Sequence, residues 1–161
     1  MGVGENPAAT PGWHLAQINI ARMRAPLTDP IMTEFAEALE EVNALADMSP
    51  GFVWRLQDAN CDATAIRAFA DPLILVNMSV WTDLVALQNY VYRTMHGRFF
   101  ARRQAWFEKS ATAHLALWWV PAGHRPTVAE GKARLEQLDQ LGASAAAFTF
   151  RQPFPPATVV G

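Results

Sequence analysis

Hydrophobic and polar positions alternate along HLAQINIAR, residues 14–22, with Ala16, Ile18 and Ile20 on one face and Leu15, Gln17, Asn19 and Ala21 on the other. That period of two is the mark of a strand. The period then becomes helical: Ile31, Phe35, Ala38, Leu39, Val42 and Leu45 recur behind Asp29, placed to cap, and Pro30, suited to a first helical position. GFVWRLQD (51–58) and PLILVNMSVW (72–81) read as two strands that pair antiparallel across a polar loop containing Asn60, Cys61 and Asp62. A short helix follows from Asp83 to about Tyr92, with Leu84, Leu87 and Val91 on one stripe.

HLALWWVP (114–121) is a further strand, stopped by Pro121 and Gly123. Thr127 and Glu130 then form a T-x-x-E capping box for a helix that presents Leu135, Leu138 and Leu141 and ends at Gly142. AAAFTF (145–150) has the composition of a last strand. Residues 1–12 and 156–161 read as tails, rich in Gly, Pro and Ala without periodicity, and 13–155 as a single domain. The succession predicts an α+β fold: a ferredoxin-like split βαβ antiparallel sheet with helices on one face.

Two strands are asymmetric. Ala16/Ile18/Ile20 and Ile74/Val76/Met78/Val80 are purely apolar faces, suited to lie under helices, whereas the opposite faces mix Leu15, Leu73, Leu75 and Trp81 with Gln17, Asn19, Asn77 and Ser79. A solvated face would carry more Lys, Glu and Thr, and a dry core would not carry these amides. A lined small-molecule cavity accounts for both, closed by the sheet of a second subunit in a homodimer.

In YVYRTMHGRFFARRQAWFEK (90–109), one continuous helix would gather Tyr92, His96, Phe99, Phe100, Arg103 and Phe107 on one face and put Arg98, Arg102 and Lys109 on the other. An imidazole and a guanidinium on an apolar stripe each need a partner. His96 has the chemistry of an acid/base and Arg103 that of an anion holder, with Asn19 and Tyr90 as orienting groups. Gln17, Asn77, Trp81, Tyr92, Phe99, Phe100, Phe107, Trp118 and His124 complete the candidate binding set. Trp118 and Trp119 point to opposite faces of their strand, one for the core and one for a pocket wall. His14 and His114 begin strands and carry less.

Composition narrows the partners. With 17% charged residues, 51% hydrophobic residues and a formal net charge of −2, the chain is expected to fold and not to bind nucleic acid. One cysteine permits no internal disulfide, and the longest uncharged apolar run falls short of a membrane span. Without a leader-like start, a soluble cytoplasmic protein is expected. No metal or dinucleotide motif is present, so no cofactor is expected, with haem ligated by His96 as the alternative.

A strand ending in Trp81, a helix from Asp83 and a following His96 resemble the dimeric α/β-barrel superfamily of antibiotic-biosynthesis and haem-degrading monooxygenases. Within it, His96, Arg103, Trp106-Phe107, WWVPAGHRP (118–126) and Phe148-Thr149-Phe150 resemble a family catalogued as a domain of unknown function. The resemblance implies that Asn19 and His96 match the site asparagine and iron-binding histidine of haem-degrading members, with Tyr90 near their tryptophan. Cofactor-free members oxidise phenols or quinols held in the barrel. The implied activity is therefore a cofactor-independent monooxygenation, or a proton-transfer isomerisation or cyclisation, of an aromatic or polyketide-like substrate. Haem binding and plain small-ligand binding are the alternatives.

Overall fold

The structure, a computed structural model, describes residues 12–57, 69–95, 98–109 and 114–156. Strand β1 (Trp13–Met23) leads into a 3-10 turn at Pro30–Met32 and helix α1 (Thr33–Met48). Then come β2 (Phe52–Arg55), β3 (Ile74–Trp81), α2 (Leu84–Met95), α3 (Arg98–Trp106), the short β4 (Phe107–Glu108), β5 (Leu115–Pro121) and α4 (Val128–Leu141). The strands make one antiparallel sheet in the order β2-β3-β1-β4, with β5 also paired to β1. Along its main length the order β2-β3-β1-β5 is that of a ferredoxin-like α+β fold.

Local signals hold where a cap fixes them. The Asp29 carboxylate accepts the Ile31 N–H at 3.0 Å, and Thr127 Oγ1 accepts the Glu130 N–H at 3.1 Å. The first turn inverts one detail of the predicted stripe: Met32 is buried while Ile31 is 55% exposed. Gly51 has a positive φ of 83°, and a Cβ there would lie 2.4 Å from Ala86 Cβ. Only glycine lets the turn before β2 tuck beneath the start of α2.

The structure corrects three expectations. The helix expected to run through residues 92–108 is two helices, α2 and α3, so the angular count does not carry from Tyr92 to Arg103. AAAFTF forms isolated bridges, Leu117 with Phe148 and Ser144 with Ala147, in place of a strand; Pro153 and Pro155, close behind, cannot donate to a ladder. The mixed face, expected to line a cavity, carries helices too. Helices α1, α2 and α3 lie together on one face of the sheet, but it is the mixed face: Leu15, Trp81 and Leu117 pack with Ala46 and Leu87, and Met23 packs with Phe35 and Trp106.

The purely apolar face lies under α4. Ala16, Ile18, Val76, Met78, Val80, Ala116 and Trp118 pack with Leu135 and Leu138. Gly131 makes that approach close, since a Cβ there would lie 2.7 Å from Ile18 Cδ1 and 2.9 Å from Met78 Sδ.

Candidate functional site

The β1–β3 register sets Leu15 opposite Trp81, Gln17 opposite Ser79 and Asn19 opposite Asn77, all on the face toward α1–α3. Directly opposed side chains on one face of a sheet are in reach of each other, and here they close into a ladder. Gln17 Nε2 donates to Asn77 Oδ1 and to Ser79 Oγ, both at 2.7 Å. Asn19 Nδ2 donates to Gln17 Oε1 at 3.0 Å and to Asn77 Oδ1 at 3.2 Å. Trp81 Nε1 donates to Ser79 Oγ at 2.8 Å. Gln17 and Ser79 are buried, while Asn19 and Asn77 are half-buried.

This ladder explains how helices cover a polar face: amides that satisfy one another can leave water at small cost. It also leaves a remainder. A primary amide has two donor hydrogens and an acceptor oxygen. Both Asn19 hydrogens turn inward and Asn77 Oδ1 accepts twice, so Asn19 Oδ1 and Asn77 Nδ2 have no hydrogen-bond partner among the described residues. No buried side-chain polar atom there lacks a partner, so both groups face accessible space.

One end of the ladder is aromatic. Trp81 stacks on Tyr90 at 4.9 Å and 26°, and meets Phe52 edge-on at 5.5 Å. The Tyr90 hydroxyl donates to the Val42 carbonyl at 3.2 Å, and burial pushes its phenol up to about 12 against a smaller opposing pull from Arg55. Arg55 is itself held by Asp47 at 2.7 and 3.3 Å. Tyr90 stays protonated at neutral pH and is tied to α1, which makes it a wall and a brace.

The sequence-predicted residues therefore separate. Gln17, Asn19, Asn77 and Trp81 meet in the ladder, and Tyr90 adjoins it. Trp118 lies on the opposite face, buried under α4, with its indole N–H donated to Glu130 Oε2 at 2.9 Å. Its neighbour Trp119 takes the mixed face and donates to the Phe154 carbonyl at 2.8 Å. His124 Nε2 lies 2.8 Å from Glu130 Oε1, on the Trp118 side of the sheet and away from the ladder. Tyr92 is 64% exposed and Arg103 exposed on α3, whereas Trp106 is the buried one among the described side chains of that helix. Phe107 packs edge-on against Phe35 at 5.0 Å, beside Leu75 and Met23. His96 lies outside the described residues, as do the side chains of Phe99 and Phe100, whose backbone is in α3.

Sequence reasoning missed the role of Glu130. Read as the second half of a capping box, its carboxylate instead joins His124 to Trp118; the signal available was a tryptophan that would be buried and need an acceptor. Ser79 was visible as a polar position on β3, but not as the hydroxyl that anchors Gln17. Among the described residues no cluster of three or more His, Cys, Asp or Glu could hold a metal ion, and no helix is long and apolar enough to cross a membrane.

Comparison with known proteins places the chain. The family described as "Domain of unknown function (DUF3291)" matches residues 14–160. The chain belongs to the DUF3291 family. No curated protein matches it. Among solved structures, SnoaB, a cofactor-independent oxygenase from Streptomyces nogalater, is similar at 19% identity and a TM-score of 0.39, over 71% of this chain and 95% of SnoaB. A protein of unknown function from Nitrosomonas europaea is similar at 12% identity and a TM-score of 0.40, over 72% of this chain and 95% of its own.

Proposed function

We propose that this DUF3291 protein is a small-molecule enzyme whose site is the mixed face of the sheet, with an aromatic or polyketide-like substrate held between the amide ladder and the aromatic wall. The single observation that carries the reading is the half-buried pair Asn19 Oδ1 and Asn77 Nδ2, a directed acceptor and donor at the end of the ladder opposite Trp81. A dry core has no use for such a pair, and a solvated strand would not support it with three further side chains.

The reaction in this reading is cofactor-independent oxygenation or a proton-transfer rearrangement. Removal of a proton from an acidic carbon or phenol builds negative charge on a conjugated oxygen, and the rim amide N–H of the ladder can meet it. Dioxygen then accepts the electrons: a methylene and O2 give a carbonyl and water, with no external reductant. His96 is the proposed base on its residue type and place in the sequence, and Arg103 the proposed anion holder. The quaternary part of the proposal is a homodimer, for which sedimentation equilibrium is the test; β2, at one edge of the sheet, leaves Val53 37% exposed.

The test is incubation with a hydroxyanthrone, whose methylene is acidic, under measured dioxygen. Consumption of one O2 per quinone formed, lowered about 10²-fold or more in Asn77→Ala and in His96→Ala with folding intact, is the expected result. Turnover unchanged in both variants would remove the mixed face from the chemistry.

A further inference from the structure

The bonding within the ladder restricts what its rim can bind. Asn19 Nδ2 faces two acceptors, Gln17 Oε1 at 3.0 Å and Asn77 Oδ1 at 3.2 Å. Turning Asn19 over alone would set oxygen against oxygen at both contacts. Asn77 Oδ1 faces two donors, Gln17 Nε2 at 2.7 Å and Asn19 Nδ2 at 3.2 Å. Turning Asn77 over alone would set nitrogen against nitrogen at both. Turning all three amides together keeps the ladder, because the Ser79 hydroxyl can accept from Gln17 or donate to it. That last arrangement exchanges the rim groups between the two asparagines and leaves their sum unchanged: one NH2 donor group, one C=O acceptor.

We propose that this rim selects an uncharged group carrying a hydrogen-bond donor next to an acceptor, the pattern of a lactam, a primary amide or an enolised dicarbonyl, and that it rejects carboxylates. The inference rests on the mixed face being a ligand site and adds to it the polarity of the ligand. A carboxylate is acceptor-only, so it meets the N–H and leaves its second oxygen facing the amide carbonyl. A donor–acceptor group pairs with both. Rejection follows from unmatched polar groups at a half-buried rim, which is a stronger filter than shape for ligands of one size.

Three probes of nearly the same shape separate the outcomes: isoquinolin-1(2H)-one, which has an N–H beside its carbonyl, its N-methyl derivative, and 1-naphthoate. Each is titrated into the 15N-labelled full chain while the side-chain amide resonances of Asn19 and Asn77 are followed. The lactam is expected to move both resonances and to bind about tenfold more tightly than either of the other two. In whichever of Asn19→Ala and Asn77→Ala removes the rim carbonyl, checked for an unchanged amide fingerprint, the preference over the N-methyl derivative is expected to collapse toward unity, because the ligand N–H has lost its acceptor. If that variant does not fold, the three wild-type affinities decide alone. Naphthoate binding as tightly as the lactam, with the same resonances moving, would overturn the polarity rule while leaving the ligand site intact. No movement with any probe would overturn both.

Discussion

Alternate residues of β1 and β3 build two faces that solve opposite problems. On one, Ala16, Ile18, Val76, Met78 and Val80 are between 0 and 1% exposed and meet α4 so closely that Gly131 has no room for a side chain. On the other, Gln17 and Ser79 are as deeply placed as core residues, at 4 and 5% exposed, yet they are polar and exchange hydrogen bonds with Asn19, Asn77 and Trp81. The first face gains stability from close packing and has no tolerance for polarity. The second accepts polarity because its groups satisfy one another, and keeps a surplus at its half-buried end.

The comparison breaks most sharply by exchanging the character of neighbouring positions. Ile18→Asn puts an amide into the dry face with nothing to bond and should cost about 4 kcal/mol in urea unfolding. Gln17→Leu, one residue away, should cost only about 1 kcal/mol, since Ser79 Oγ still accepts from Trp81 and Asn77 Oδ1 from Asn19. Equal losses at the two sites would mean that the faces do not differ as described.

Gly131→Leu tests the dry face from the helix side. Its side chain would enter space already held by Ile18 and Met78, and overpacking of that kind should cost about 3 kcal/mol, seen as a lowered urea midpoint. A neutral result would show that α4 and the sheet leave room for a side chain between them.

The smallest expected effect concerns the wall beside the ladder. Because burial raises the Tyr90 phenol to about 12, the folded state keeps a proton that the unfolded chain releases near its ordinary value of about 10. The stability linked to that proton is complete below pH 10 and is lost as pH rises toward 12. Tyr90→Phe should lose about 1 kcal/mol at neutral pH with the bond to Val42, and should decline less than the parent between pH 10 and 12. Parallel declines for the two proteins would assign the alkaline loss to other groups.

Alternation in 14–22 and 72–81 gave the strands and the two unlike faces, because a strand's side chains must point to opposite sides. Caps at Asp29 and Thr127 gave helix starts, since the interaction lies within three residues. What alternation could not give was the side on which the helices dock: an apolar face invites a helix, but a self-satisfied polar face permits one, and the satisfaction depends on the register of Gln17 with Ser79 and of Asn19 with Asn77. The same limit misplaced Trp118, since WW tells that the two indoles part without saying which goes where. The stripe from Tyr92 to Phe107 failed for another reason. A 100° count assumes one axis, and the chain has two helices there.

The sequence by itself determined the strands β1, β3 and β5, the caps at Asp29 and Thr127, the amphipathic split of β1 and β3, and the presence of amides on one side of it, all of which follow from contacts a few residues long. Only the tertiary structure decided that residues 58 to 62 apart in the chain, Gln17 or Asn19 with Asn77 and Ser79, bond across two strands to leave one donor and one acceptor at the rim. Hydrogen-bond direction is a property of the assembled set, because each amide's orientation is fixed by its neighbours and by nothing in its own residue.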